Sequence, residues 1–316
     1  MIQSIANRGV FVLLTVIAWT GHGLAEEHNL QTNHTQRPDQ LTAMIGDVTI
    51  RINGPKLWTL SGIEYRKSII AVEDSAYGTV LNLRGVGILG SAHFLDVPGR
   101  PGEIEKENVA RTQFFLDGKP IDDLQPVMTI SGDRFRMERE STIRAVRLNS
   151  SISLDNNVLL ESVQIHSESE VDLVLAFPLM YAWTPKATEY LFGNDKGIQK
   201  RGQFLDGDAK PGEGLEKTAN WMAVFDRSAG IGAVCYLKKR PATEDVWFQY
   251  TDAPGIYRKL RLMCFSDKLI PAHFDGTFQT AVTFFSANER RWDTVAETHL
   301  DRLRHDGREL SNAGEK

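Results

Sequence analysis

The chain has 316 residues, 41% of them hydrophobic and 24% charged, with a formal net charge of −5. That length buries a full core in one large domain or two small ones, and mild acidity without any basic, aromatic-rich strip argues against a nucleic-acid surface. The only cysteines, Cys235 and Cys264, have no CxxC or HxxxH spacing beside them, so the sequence offers neither a metal site nor a cofactor fingerprint.

Residues 1–25 read as a secretory signal peptide. Arg8 precedes an apolar run from Val10 to Trp19, and Gly23-Leu24-Ala25 supplies small residues for cleavage. The run is too short to span a bilayer and no later one is longer, so the expected mature protein is exported, periplasmic or extracellular, with no membrane span. Residues 26–45 are polar and aperiodic and read as a mobile leader.

From residue 46 to 286 the pattern is one of short strands and turns. Asp47 to Ile52 alternates and stops at Asn53-Gly54-Pro55. Tyr77 to Leu83 alternates again, and Asp117-Gly118 between two short runs is a hairpin signal. Thr142 to Leu154 reads as one long strand, turned at Asp155-Asn156-Asn157 into Val158 to His166. After the charged turn at 167–170, Val171 to Met180 is nearly all apolar, as in a strand buried on both faces. Tyr181, Trp183, Thr184 and Pro185 are then expected to leave the sheet as an exposed rim. Gly193 to Lys217 reads as a long loop. Further strands follow, the last from Gly276 to Phe285, and residues 287–316 form a closing amphipathic helix and tail, announced by capping-box spacing from Ser286 to Glu289. The expected fold is all-β: a large antiparallel two-sheet sandwich with a C-terminal amphipathic helix. Cys235 and Cys264 each fall mid-strand, either as one disulfide or as two buried thiols.

Several residues carry candidate chemistry. His93 follows a glycine-studded segment and serves either as a general acid or base or as part of a tight turn. Glu138 and Glu140 share one strand face, either as paired carboxylates for acid–base work or as a solvated charged face. Arg258, in Tyr257-Arg258-Lys259, is placed either to hold a carboxylate-bearing sugar or to start a strand. Trp183 and Tyr181 serve either as flat apolar planes suited to the C–H faces of a sugar, with the Tyr181 hydroxyl a candidate for proton transfer, or as two core aromatics at a strand end.

Three stretches resemble the galactose-mutarotase-like superfamily: Ser151 to Trp183, Leu262 to Asp267, and Leu269 to His273 before the closing strand. The resemblance implies a β-supersandwich that binds or modifies carbohydrate. It places Tyr181 where the family has a histidine, and Asp267 nearest the family's carboxylate. The resulting catalytic set is Tyr181, His93 and Asp267, with Trp183, Arg258 and Glu140 binding a sugar or polysaccharide. A polysaccharide lyase acting on uronate is an alternative implied by the same superfold, and a non-catalytic envelope scaffold is a second.

Overall fold

The structure, a computed structural model, describes residues 37–72, 78–90, 107–205, 212–242 and 244–305. The chain folds as alternation dictates, because each strand with one apolar face must set it against another layer. The first strands are β1 (Gln40–Ile45), β2 (Val48–Asn53), β3 (Thr59–Tyr65), β4 (Ser68–Ala71), β5 (Val80–Leu83) and β6 (Gly87–Gly90). A long meander follows, with β7 (Asn108–Leu116), β8 (Lys119–Pro120), β9 (Val127–Gly132), β10 (Arg134–Ile143), β11 (Val146–Asp155) and β12 (Val158–Ser167). The chain then forms β13 (Val171–Phe177), β14 (Met180–Trp183), β15 (Glu189–Asn194), β16 (Gly197–Gln203), β17 (Gly212–Glu216) and β18 (Trp221–Asp226). It closes with β19 (Ile231–Lys239), β20 (Trp247–Ala253), β21 (Tyr257–Met263), β22 (Lys268–Ile270), β23 (Phe274–Ser286) and helix α1 (Trp292–His305).

Two large sheets carry the architecture. The first has nine strands in the order β17-β20-β21-β14-β4-β3-β2-β1-β9, and the second has ten, β16-β15-β18-β19-β23-β12-β11-β10-β7-β8. A small third sheet, β22-β13-β5-β6, completes the set. Among the described residues the pairing of β1 with β9 is parallel and the other ladders are antiparallel. Leu41, Ile50, Leu60 and Leu260 of the first sheet share one core with Phe135, Leu148, Val163 and Phe278 of the second. The expected all-β sandwich is what forms.

The turns follow local chemistry. Asp117 (φ 52°) and Gly118 (φ 79°) join β7 to β8, and Asn156 (φ 48°) and Asn157 (φ 61°) join β11 to β12, as two-residue hairpin loops with both residues left-handed. Helix α1 lies on the outer face of the second sheet, where Trp292 stacks on Phe225 with centroids 5.2 Å apart and Leu300 and Leu303 are buried. No helix among the described residues is long and apolar enough to cross a membrane.

Three sequence expectations are corrected, and one open alternative is resolved. Gln40–Ile45, read as the end of a leader, is β1, because Leu41, Ala43 and Ile45 bury alternately. The single long strand over 142–154 is two, broken at Arg144 (φ 53°), a position the alternating pattern runs straight through. The loop over 193–217 contains β16 and β17, polar edge strands whose pattern burial does not sharpen. Cys235 and Cys264 are free and buried, so the two-thiol alternative holds.

Candidate functional site

The exposed rim expected at Tyr181 and Trp183 is not there. Both belong to β14 and are only 1% exposed, stacked on each other at 5.1 Å inside the sandwich. The reason is tertiary: β14 lies between β4 and β21 in the first sheet, so its alternating side chains face the shared core rather than solvent. The Tyr181 hydroxyl lies 2.6 Å from Thr280 Oγ1 and also meets the Glu161 carboxyl. Burial pushes the Tyr181 hydroxyl well above its ordinary pKa, with the nearby Glu161 acting in the same direction. That is the opposite of what a base at neutral pH needs.

The other expected residues are scattered. Arg258 faces inward. Its guanidinium pairs with Asp252, donates to Leu205 O at 2.7 Å and lies 5.1 Å over the Phe204 ring. It is a clamp between β20, β21 and the chain after β16, not a free cation for a sugar. Asp267 is exposed and accepts from Arg84 at 3.1 Å at the edge of the small sheet, with no contact to Tyr181. Glu140 accepts from Arg111 at 3.2 Å on the outer face of the second sheet, and Glu138 pairs with Arg136 beside it. His93 lies outside the described residues. No described element joins these residues into one site.

The sandwich interior holds a polar cluster that sequence reading missed. On β12 the Glu161 carboxyl faces inward, and burial pushes its pKa up to about 8, the Tyr181 hydroxyl and the Arg139 charge only partly opposing. Arg139, on the inner face of β10, pairs with Glu107 at 3.2 Å and donates to Leu57 O at 2.6 Å. Arg139, Ser150 and Glu161 border a cavity of about 10 Å³. That is room for one water and no sugar.

A different surface has the makings of a ligand face. On the outer side of the first sheet, Trp247, Gln249 and Thr251 of β20 project together, as period two requires. Register sets Gln249 opposite Arg261 and Thr251 opposite Lys259 on β21. On the far side, Arg261 faces Met180 and Lys259 faces Ala182 on β14. At the sheet edge Glu213 and Leu215 of β17 stand opposite Thr251 and Gln249.

Each cation of this face lies over a ring. Arg261 is 5.2 Å from the Phe177 centroid, Lys259 5.6 Å from that of Tyr257, and Lys217 5.0 Å from that of Trp247. Arg261 also donates to Thr251 Oγ1 and to Glu213 at 3.4 Å. Gln249 Oε1 and Arg261 Nε, an acceptor and a donor on paired residues, are shielded from water yet have no hydrogen-bond partner among the described residues. The signal for this face was present in the sequence as Trp247, Gln249 and Thr251 at alternate positions. Only pairing with β21 revealed the row.

No family model matches the chain, and no curated protein matches it. Among solved structures it is similar to a GH36 alpha-galactosidase from Geobacillus stearothermophilus at 9% identity, TM-score 0.48, covering 79% of this chain and 41% of that one. It is also similar to a galactose mutarotase-like protein from Lactobacillus casei at 7% identity, TM-score 0.46, covering 78% and 100%. A galactose mutarotase-like protein from Clostridium acetobutylicum matches at 9% identity, TM-score 0.45, covering 77% and 94%. The chain thus spans about two fifths of the galactosidase's length and nearly all of the other two. Galactose mutarotase-like proteins stand among its structural neighbours, and the likeness is one of fold, with no residue or substrate carried across.

Proposed function

We propose that this is an exported carbohydrate-binding protein that takes a saccharide on the outer face of the first sheet, along Trp247, Gln249, Thr251 and Arg261, with Lys259 buried beside them. The observation that carries this reading is the pair Gln249 and Arg261, which present an acceptor and a donor, both shielded and both unpaired, beside an indole ring. An unmade hydrogen bond on a shielded group costs about 1–3 kcal/mol, so a face that keeps two of them favours a ligand that fills them. A vicinal diol does so, since each hydroxyl both donates and accepts, while its C–H face packs on an aromatic plane. The sequence resemblance to carbohydrate-active proteins agrees with this reading. Export rests on the signal-like residues 1–25.

The reading is one of binding first. Tyr181, proposed above for proton transfer, is walled into the core, and the interior acid Glu161 reaches no cavity that admits a sugar. Eliminative cleavage of a uronate glycan therefore has no support from Tyr181. A glycan array probed with the purified protein tests the reading, with Gln249→Leu and Trp247→Ala alongside. Expected are glycan hits that weaken at least tenfold in both variants. A blank array, or hits unchanged in both variants, would remove this face as a sugar site.

A further inference from the structure

A groove of about 640 Å³ lies where the β15–β16 turn, the chain between β17 and β18 and the end of β19 come together. That is the size of a small-molecule site. Five cations and one acid line it. Lys196 comes from the β15–β16 turn, Lys217 from just past β17, and Lys238, Lys239 and Arg240 from the end of β19. In a chain whose acids exceed its bases by five, this is a local reversal of charge.

The fold builds that reversal. Successive residues of a regular strand point to opposite faces, which would part Lys238 from Lys239. The pairing of β19 with β23 shifts here, with Leu237 opposite Thr280 and Lys239 opposite Gln279. Lys238 is thereby the extra residue of a bulge, and both lysines line the groove. Backbone bonds tie the walls together: Asn220 N donates to Gly193 O and Leu237 N to Asn220 O, each at 2.8 Å. Lys217 is held over the Trp247 ring, 5.0 Å from its centroid.

Little on the protein neutralises these charges. Asp195, the acid of the lining, is shared with Arg304 at 3.4 Å and accepts from Asn220 Nδ2 at 2.9 Å. Glu216 pairs with Lys200, Glu244 lies 3.9 Å from Lys268, and the exposed Asp245 is outside the lining. No carboxylate among the described residues pairs with Lys196, Lys217, Lys238, Lys239 or Arg240. Like charges gathered in a cleft repel one another and focus a field that draws in an anion. The cations exceed the acid by four. One carboxylate would match a single cation, whereas a phosphate carries about 1.5 to 2 negative charges near neutral pH, so two phosphates match three or four. Four of the five cations are lysines, which meet phosphate as point charges.

We infer that this groove binds a ligand carrying two phosphate groups, free in solution or as the headgroup of a lipid. The site does not depend on the saccharide reading above.

Calorimetry of the purified protein with pyrophosphate, orthophosphate and citrate in metal-free buffer, at low and at high salt, tests this. Flotation on vesicles of cardiolipin in phosphatidylcholine runs beside it. Expected is pyrophosphate binding at least tenfold tighter than that of orthophosphate or citrate, weakening as salt rises. Lys239→Gln and Arg240→Gln, both at exposed positions, should each weaken it several-fold and together abolish it. Lys119→Gln, an exposed change on β8, should leave it unchanged. Cardiolipin vesicles bound without affinity for pyrophosphate, and released by the same pair of changes, would support the inference and put the two phosphates on a lipid. Citrate bound as tightly as pyrophosphate would overturn it, because charge alone would then suffice. Binding untouched by Lys239→Gln and Arg240→Gln would overturn the groove as the site. A protein that takes neither pyrophosphate nor cardiolipin would overturn the inference altogether.

Discussion

The Tyr181 hydroxyl lies 2.6 Å from Thr280 Oγ1, and Thr280 on β23 stands directly opposite Glu161 on β12. Three polar side chains thus meet between the two sheets, where partners come only from within the protein, and Glu161 Oε2 has none among the described residues. Around them are apolar neighbours, among them Val163 and the buried Cys235, whose thiol is pushed up by the same burial.

Glu161 sets a pH dependence of stability. Its folded pKa of about 8 lies above its ordinary value of 4.5, so between those values the folded state holds a proton that the unfolded state has released. Stability from this group is therefore greatest below about pH 4.5, falls as pH rises through the window, and levels off above about pH 8. Glu161→Gln keeps the shape and removes the titration. Urea denaturation from pH 5 to 9 should show a flatter curve for the variant, with an advantage at pH 9 on the order of 4 kcal/mol. A parallel pair of curves would show that Glu161 is ionised in the folded protein at neutral pH.

Arg258 should prove structural. It and Asp252 are each about 4% exposed, and removing one partner leaves a buried charge uncompensated. Arg258→Leu is expected to cost roughly 3–5 kcal/mol in chemical denaturation. Where the variant remains folded, its glycan affinity should match that of the parent, because the guanidinium faces the core and not the ligand row. A selective loss of affinity with stability intact would restore Arg258 to the binding face.

Gln249→Leu should separate binding from stability by sign. Replacing a shielded amide whose oxygen has no partner removes an unmet hydrogen bond, so the variant is expected to be as stable as the parent or about 1 kcal/mol more so. Glycan affinity should fall at the same time. Thermal denaturation and the array read the two effects separately, and a destabilised variant would mean that the Gln249 oxygen is already satisfied.

Helix α1 should be needed for the fold. Trp292 stacks on Phe225, and the helix buries Ala296, Leu300 and Leu303 against Leu191, Trp221 and Phe285. Trp292→Ala is expected to cost about 3–5 kcal/mol. Deleting residues 288–316 should expose that apolar face and yield aggregated protein, read by size-exclusion chromatography. A well-behaved monomer after deletion would favour the scaffold alternative, in which the helix serves a partner.

Much of the fold was legible in the residues themselves. The alternation of Val158 to Ser167, the left-handed pairs Asp117-Gly118 and Asn156-Asn157, and the apolar stripe from Trp292 to Leu303 each specify local structure through side-chain period or backbone preference. The broken strand at Arg144 was not legible, because arginine gives no sign of a left-handed turn. Nor were the edge strands β16 and β17, whose polar residues bury too little to leave a period.

The candidate site divides along the same line. Residue type alone marked Tyr181, Trp183 and Arg258 as sugar ligands, since an aromatic near a strand end and an arginine after a turn look alike whether they face a ligand or a core. The sequence by itself determined the strands, their turns and which residues alternate within them. Only the tertiary structure decided which face of each strand meets the other sheet, and that turned Tyr181, Trp183 and Arg258 inward while leaving Gln249 and Arg261 on the outer side. The physical reason is that alternation fixes two faces per strand and not which of them is buried. That choice is made by pairing and by the layer packed behind it.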